Sequence, residues 1–148
     1  MNTLFCFTDA STKAYSASYL YSSVNGKATV NLVFSKVRVA PAKPLSIPSL
    51  ELLGVLIRTR CLNYVTQQLQ LSMVDRFLWT DSQCVLHWMK TCKPLPVFVQ
   101  NWIREITSHM NIKFDYVSTS QNPADLATRG VPTDELIHNN LWWHGPSC

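Results

Sequence analysis

Residues 15–34 alternate apolar and small polar side chains on either side of a single Asn25-Gly26 dipeptide. Tyr15, Ala17, Tyr19 and Tyr21 fall between Ser16, Ser18 and Ser22, while Val30, Leu32 and Phe34 alternate with Thr29 and Asn31. Period-two patterning presents one side of each strand to a core. Asn-Gly accepts φ > 0 at both central positions of a two-residue turn, so it folds these strands back on each other. The run ahead of them, residues 3–8 (TLFCFT), is bulky on both faces, as a central strand covered above and below should be. Three antiparallel strands therefore open the chain.

A proline-bearing loop over residues 40–47 leads to Pro48, which suits a helix's first turn. Leu50, Leu53, Leu56, Ile57, Arg60, Tyr64 and Leu69 then fit one long amphipathic helix ending near Leu71. A fourth strand, residues 76–80 (RFLWT), stops at Asp81, and residues 82–90 read as a short helix broken by Pro94 and Pro96. Residues 97–109 form a third helix and residues 112–117 a fifth strand. Asn122 and Pro123 open a last helix as N-cap and N1. The order βββαβααβα specifies a five-stranded mixed sheet with helices on both faces, of α/β (α+β) class. Residues 1–130 form the domain. Residues 131–148 show no clear periodicity and read as a C-terminal tail, its Leu141-Trp142-Trp143-His144 a docking segment or the start of a connection to a downstream domain.

With 148 residues, 47% apolar and 15% charged, the chain can build one real core but not two. The net charge of +4 is compatible with a polyanionic partner, although Lys36, Arg38, Lys43, Arg58, Arg60, Lys90 and Lys93 are scattered. Five cysteines with no CxxC pair point to free thiols in a reducing, intracellular compartment. No run approaches the ~20 apolar residues of a membrane span. Trp79, Trp88, Trp102 and His87 lie on apolar faces and read as core, not as base-stacking platforms.

Four acids stand out: Asp9, Glu51, Asp81 and Asp125. Each alone has a structural reading. Asp9 begins a Ser/Thr turn, Asp81 precedes a helix as an N-cap would, and Asp125 sits where it completes a capping box with Asn122. Glu51 near a helix start satisfies the macrodipole. Jointly they say more. If the strands ending at Asp9 and Asp81 are parallel neighbours, both carboxylates emerge at one edge of the sheet, where open α/β sheets place ligands. Carboxylates crowd only with cations between them, and divalent ions with a carboxylate set suit phosphodiester hydrolysis.

The segments Asp9-Ala10-Ser11-Thr12-Lys13-Ala14-Tyr15, Ile47-Pro48-Ser49-Leu50-Glu51-Leu52-Leu53, Trp79-Thr80-Asp81-Ser82, Asn122-Pro123-Ala124-Asp125-Leu126-Ala127-Thr128-Arg129-Gly130 and Leu141-Trp142-Trp143-His144-Gly145-Pro146 come in a familiar order. So does Ser35-Lys36-Val37-Arg38-Val39-Ala40-Pro41 between the first two. Together they resemble the ribonuclease H domain of BEL/Pao-type LTR retrotransposon polyproteins, over almost the whole chain. The resemblance implies a ribonuclease H fold and an endonuclease that degrades the RNA strand of RNA–DNA hybrids during reverse transcription. It implies catalytic, metal-binding Asp9, Glu51, Asp81 and Asp125 and two Mg²⁺ ions, with Mn²⁺ as a substitute. Ser11, Thr12, Ser82 and Gln83, beside the acids, are the expected substrate contacts. The implied partners are the hybrid and the reverse transcriptase domain of the same polyprotein, with no membrane, in a cytoplasmic retrotransposon particle. One departure is Tyr116-Val117-Ser118, where relatives carry His-Val-Pro, with His109 and His138 the nearest histidines in sequence. It favours a rival reading, a catalytically weak module that supports hybrid binding by the neighbouring reverse transcriptase. An integrase-like strand transferase on this fold would need an Asp-Asp-Glu order, which the helix-borne Glu51 in second place does not supply.

Overall fold

A computed structural model describes residues 2–25, 27–71, 74–108 and 112–147. Strands β1 (Thr3–Ala10), β2 (Ala14–Asn25), β3 (Lys27–Val39), β4 (Asp75–Thr80) and β5 (Ile112–Tyr116) form one sheet in the order β3-β2-β1-β4-β5. The first three are antiparallel, and β4 joins β1 in parallel with Thr8 beside Thr80. β5 continues parallel to β4. The mixed α/β sheet is therefore the one the sequence specifies. Gly26, on which the turn reading rests, lies outside the described residues, but its flanks Asn25 and Lys27 are paired.

The return strand is not regular. Tyr19 pairs with Phe34 and Leu20 with Leu32, which leaves Val33 as a bulge. An extra residue inverts the alternation beyond it. Val30 and Leu32 accordingly face one side of the sheet, whereas Val33 and Phe34 pack on the other against Tyr19 and Ile57. A single face for Val30, Leu32 and Phe34, as period two alone requires, is thus corrected by the bulge.

Helix α1 (Ile47–Gln68) starts at Ser46, whose Oγ accepts from the Ser49 N–H at 3.3 Å, with Pro48 in the first turn. It crosses β1 and β2, burying Ile57, Leu62 and Val65 against Leu4, Cys6 and Tyr19. Farther along the same face, Leu52, Val55 and Leu56 meet Leu78, Val85 of α2 (Gln83–Lys90), and Val99 and Ile106 of α3 (Val97–Thr107). Each such side chain is worth about 1.5–3 kcal/mol of burial. Trp88 and Trp102 pack on this cluster, but His87 is exposed. The third helix ends at Thr107; His109 lies outside the described residues.

A 3-10 turn (Thr119–Gln121) and α4 (Ala124–Arg129) cover the opposite face. There Phe7, Leu20, Val117 and Ala124 form the core. Asn122 fixes α4 twice: its Nδ2 donates to the Thr8 carbonyl at 2.9 Å and its Oδ1 accepts from the Ala124 N–H at 3.1 Å. Ser16 Oγ adds a bond to the Ala124 carbonyl at 3.0 Å. The tail is more ordered than its pattern indicates, with α5 (Thr133–Ile137) and α6 (Asn140–His144). Trp142 is buried, His144 Nδ1 sits 2.9 Å from the Val30 carbonyl, and Gly145 packs on Leu20. Trp143 stays exposed. The described cysteines are free thiols.

Candidate active site

An open cleft of about 470 Å³ lies at the carboxyl ends of β1 and β4. Asp9, Glu51, Asp81 and Asp125 all line it, together with Ser11, Thr12, Lys13, Thr119, Thr128 and Arg129. Four elements far apart in sequence deliver the acids: the end of β1, the second turn of α1, the residue after β4, and α4. Gly54 makes the approach of α1 possible, because a Cβ there would stand 3.2 Å from the Asp9 carbonyl and 3.3 Å from that of Ser16.

The local structural explanations of the acids do not hold. Asp9 still pairs with Ser16 inside the ladder, and the turn after it is capped by Ser11, whose Oγ accepts from the N–H groups of Lys13 and Ala14. Asp81 does not cap α2; Ser82 does, accepting from the Val85 N–H at 3.1 Å. Glu51 lies beyond the first turn of α1. Asp125 pairs with Arg129 Nε at 3.2 Å instead of closing a box with Asn122.

Each aspartate has its own partner. Thr128 Oγ1 donates to Asp9 Oδ2 at 2.5 Å, and Thr119 Oγ1 donates to Asp81 Oδ2 at 3.0 Å. Burial pushes the Asp9 carboxyl up to about 7; the Thr128 bond opposes the rise, and the charges of Asp81 and Asp125 add to it. Glu51 is raised too, by burial first and by Asp81, against a hydrogen bond from Ser82. Burial first, and the neighbouring carboxylates second, disfavour the charged acids, as in a site short of positive charge.

The donor set consists of carboxylate oxygens, which suit a hard divalent cation. Asp81 Oδ1 is buried without a hydrogen-bond partner among the described residues, a lone acceptor that an ion would satisfy. The residues therefore fit Mg²⁺ in kind. Among the described residues, however, no three His, Cys, Asp or Glu side chains are drawn together around one point.

Of the expected substrate contacts, Ser11 and Thr12 line the cleft. The Ser11 hydroxyl also reaches the Thr128 carbonyl at 3.2 Å. Ser82 is buried at the α2 cap and Gln83 is exposed on α2, and neither lines the cleft. Lys13, Thr119, Thr128 and Arg129 are the members the sequence reading passes over. Tyr116 is 43% exposed.

The family model described as "Pao retrotransposon-like RNaseH-like domain" matches residues 1–82, which include Asp9, Glu51 and Asp81. The chain belongs to this family. No curated protein sequence matches it. Among solved structures, the LC11 RNase H1 isolated from compost, in complex with an RNA/DNA hybrid, is 12% identical with a TM-score of 0.59, over 84% of this chain and 91% of that one. The N-terminal RNase H domain of a Mycobacterium tuberculosis protein, fused to maltose-binding protein, is 10% identical with a TM-score of 0.57, over 87% and 95%. RNase H1 from Halobacterium salinarum gives 10% and 0.53, over 83% and 89%. At these identities the likeness shows the fold, which is that of RNase H.

Proposed function

We propose that this Pao-type RNase H-like domain is a metal-dependent endoribonuclease that hydrolyses the RNA strand of RNA–DNA hybrids, within a retrotransposon polyprotein carrying a reverse transcriptase. One observation carries the reading: four carboxylates from four separate elements line a single cleft at the ends of adjacent parallel strands. Asp9, Glu51, Asp81 and Asp125 would hold the cations. When bound, two divalent ions supply an activated water and stabilise the leaving 3′ oxygen. Lys13 and Arg129 at the cleft give the phosphate backbone a salt-dependent attraction without sequence preference. Thr12, which lines the cleft, would contact the sugar of the RNA strand, where a 2′-hydroxyl separates RNA from DNA.

The test is cleavage of a labelled hybrid in Mg²⁺ or Mn²⁺. The parent should cut the RNA strand only, and Asp81→Asn should lose activity while keeping its circular dichroism spectrum. Undiminished Mg²⁺-dependent cutting by Asp81→Asn would remove this site from consideration. Tyr116 supports the second reading, a weak module that holds the hybrid for the polymerase; hybrid retention without cleavage in the same assay would favour it.

No described helix is long and apolar enough to cross a membrane. We propose the division at residue 130, with residues 131–148 a separate C-terminal segment whose α6 is seated on β3.

A further inference from the structure

We propose that Thr128 and Thr119 are positioning residues that aim Asp9 and Asp81 into the cleft, each holding one carboxylate oxygen and, on Asp81, leaving Oδ1 for a cation. The inference rests on the metal site of the preceding section, and adds two residues outside its acids.

The two contacts have the same form. In each, a threonine Oγ1 donates to an aspartate Oδ2: Thr128 to Asp9 at 2.5 Å, and Thr119 to Asp81 at 3.0 Å. In each the threonine comes from the segment after β5 and the aspartate from the end of a parallel strand. On Asp81 the remaining Oδ1 is buried and has no hydrogen-bond partner among the described residues. An oxygen kept dry and unpaired is costly unless something fills it. A donor fixed on its mate keeps it from turning away.

Thr128 stands on a platform pinned independently of the acids. Asn122 ties the start of α4 to the Thr8 carbonyl, Ser16 ties the Ala124 carbonyl to β2, and Ser11 donates to Thr128's own carbonyl. A helical threonine chooses between two χ1 rotamers, and the bonds of Thr128 Oγ1 to Asp9 and, at 3.2 Å, to the Asp125 carbonyl select one of them. An aspartate otherwise free to rotate is thereby held in one orientation before any ion arrives. Partners that orient metal ligands in this way typically change metal affinity or activity by about 10–100-fold when removed.

The experiment uses the full chain. Mn²⁺ binding to metal-free protein is measured by calorimetry for the parent, Thr128→Val, Thr128→Ser, Thr119→Val and Thr119→Ser, with hybrid cleavage measured in parallel. The valine variants keep the shape and lose the donor; they should bind Mn²⁺ about 10–100-fold more weakly. The serine variants should recover most of that loss. Cleavage should fall in kcat with KM for the hybrid little changed. Thr119 lies on an exposed turn, so if Thr128→Val does not fold, the Thr119 pair decides alone. Parental Mn²⁺ affinity in the valine variants, or no Mn²⁺ binding by the parent, overturns the proposal. A parent that binds Mn²⁺ in a threonine-dependent way yet cuts no hybrid upholds it and removes the nuclease reading instead.

Discussion

A methyl group at Gly54 would stand 3.2 Å from the carbonyl oxygen of Asp9. This close contact between α1 and β1 sets how near Glu51, one turn earlier on the helix, comes to the other acids. Gly54→Ala should gain about 1 kcal/mol of helix propensity. It should lose about 1–3 kcal/mol to overpacking, because both oxygens it meets are backbone and neither can swing aside. The net expectation is mild destabilisation in urea unfolding. Cleavage should fall further than stability does, since α1 must move outward and take Glu51 with it. Wild-type activity in a folded Gly54→Ala protein would show that the spacing does not matter.

The charge deficit of the cleft has a sign that can be read without metal. Asp9 titrates near 7 in the fold, against 3.8 ordinarily, so between those pH values the folded state holds a proton the unfolded chain has released. Stability of the metal-free protein should therefore fall as pH rises from about 4 to about 7, with Glu51 contributing in the same direction. Asp9→Asn keeps an acceptor for Thr128 and removes the charge. It should melt a few degrees above the parent at pH 8 and flatten the slope. Mg²⁺ should stabilise the parent most above pH 7, where Asp9 has shed its proton, and leave Asp9→Asn nearly unmoved. Thermal melts across pH 5–8 with and without Mg²⁺ test all three.

Much of this was legible in the chain, and the reasons differ by feature. Strands of period two and a helix of 22 residues announce themselves because their patterns repeat often enough to be seen. The acids stood out because charge at the end of a greasy strand is conspicuous. The bulge at Val33 was invisible, since one inserted residue leaves no mark on composition and is set by packing against Tyr19 and Ile57. Helices α5 and α6, five residues each, are too short to display a period and exist by docking. Thr128 was missed for a related reason: its partner Asp9 is 119 residues away, and nothing local in Leu126-Ala127-Thr128 signals a ligand-orienting hydroxyl.

Arg58 illustrates a different kind of cost. It is 1% exposed beneath the sheet, and its Nε and Nη1 have no hydrogen-bond partner among the described residues. Tyr19 donates to its carbonyl at 2.5 Å, a bond that any side chain at the position would keep. Burying a cation without a full set of acceptors is unfavourable, and apolar replacements of similar length are often stabilising. Arg58→Met should raise stability by about 1 kcal/mol or more in urea unfolding. A loss instead would mean that the guanidinium makes up its desolvation through Cys6 and its neighbours.

The tail offers the last test, because its docking can be weighed residue by residue. Trp142 is buried while Trp143 is 40% exposed, although the two are adjacent and chemically alike. Truncating the buried one should cost about 3 kcal/mol, within the range for large aromatic deletions, and truncating its neighbour far less. Trp143 does donate from Nε1 to the Leu136 carbonyl at 2.8 Å, so its loss should loosen α5. Gly145 adds a backbone condition: φ is +75° with ψ near −178°, a region essentially reserved for glycine, and a Cβ would meet Leu20 Cδ2 at 3.0 Å. Gly145→Ala should accordingly cost ~1–3 kcal/mol through strain and crowding. Limited proteolysis should then cut around α6 in Trp142→Ala and Gly145→Ala before the sheet opens, and only near α5 in Trp143→Ala. Equal protection in all three variants would mean that α6 contributes little to the fold despite its contact with β3.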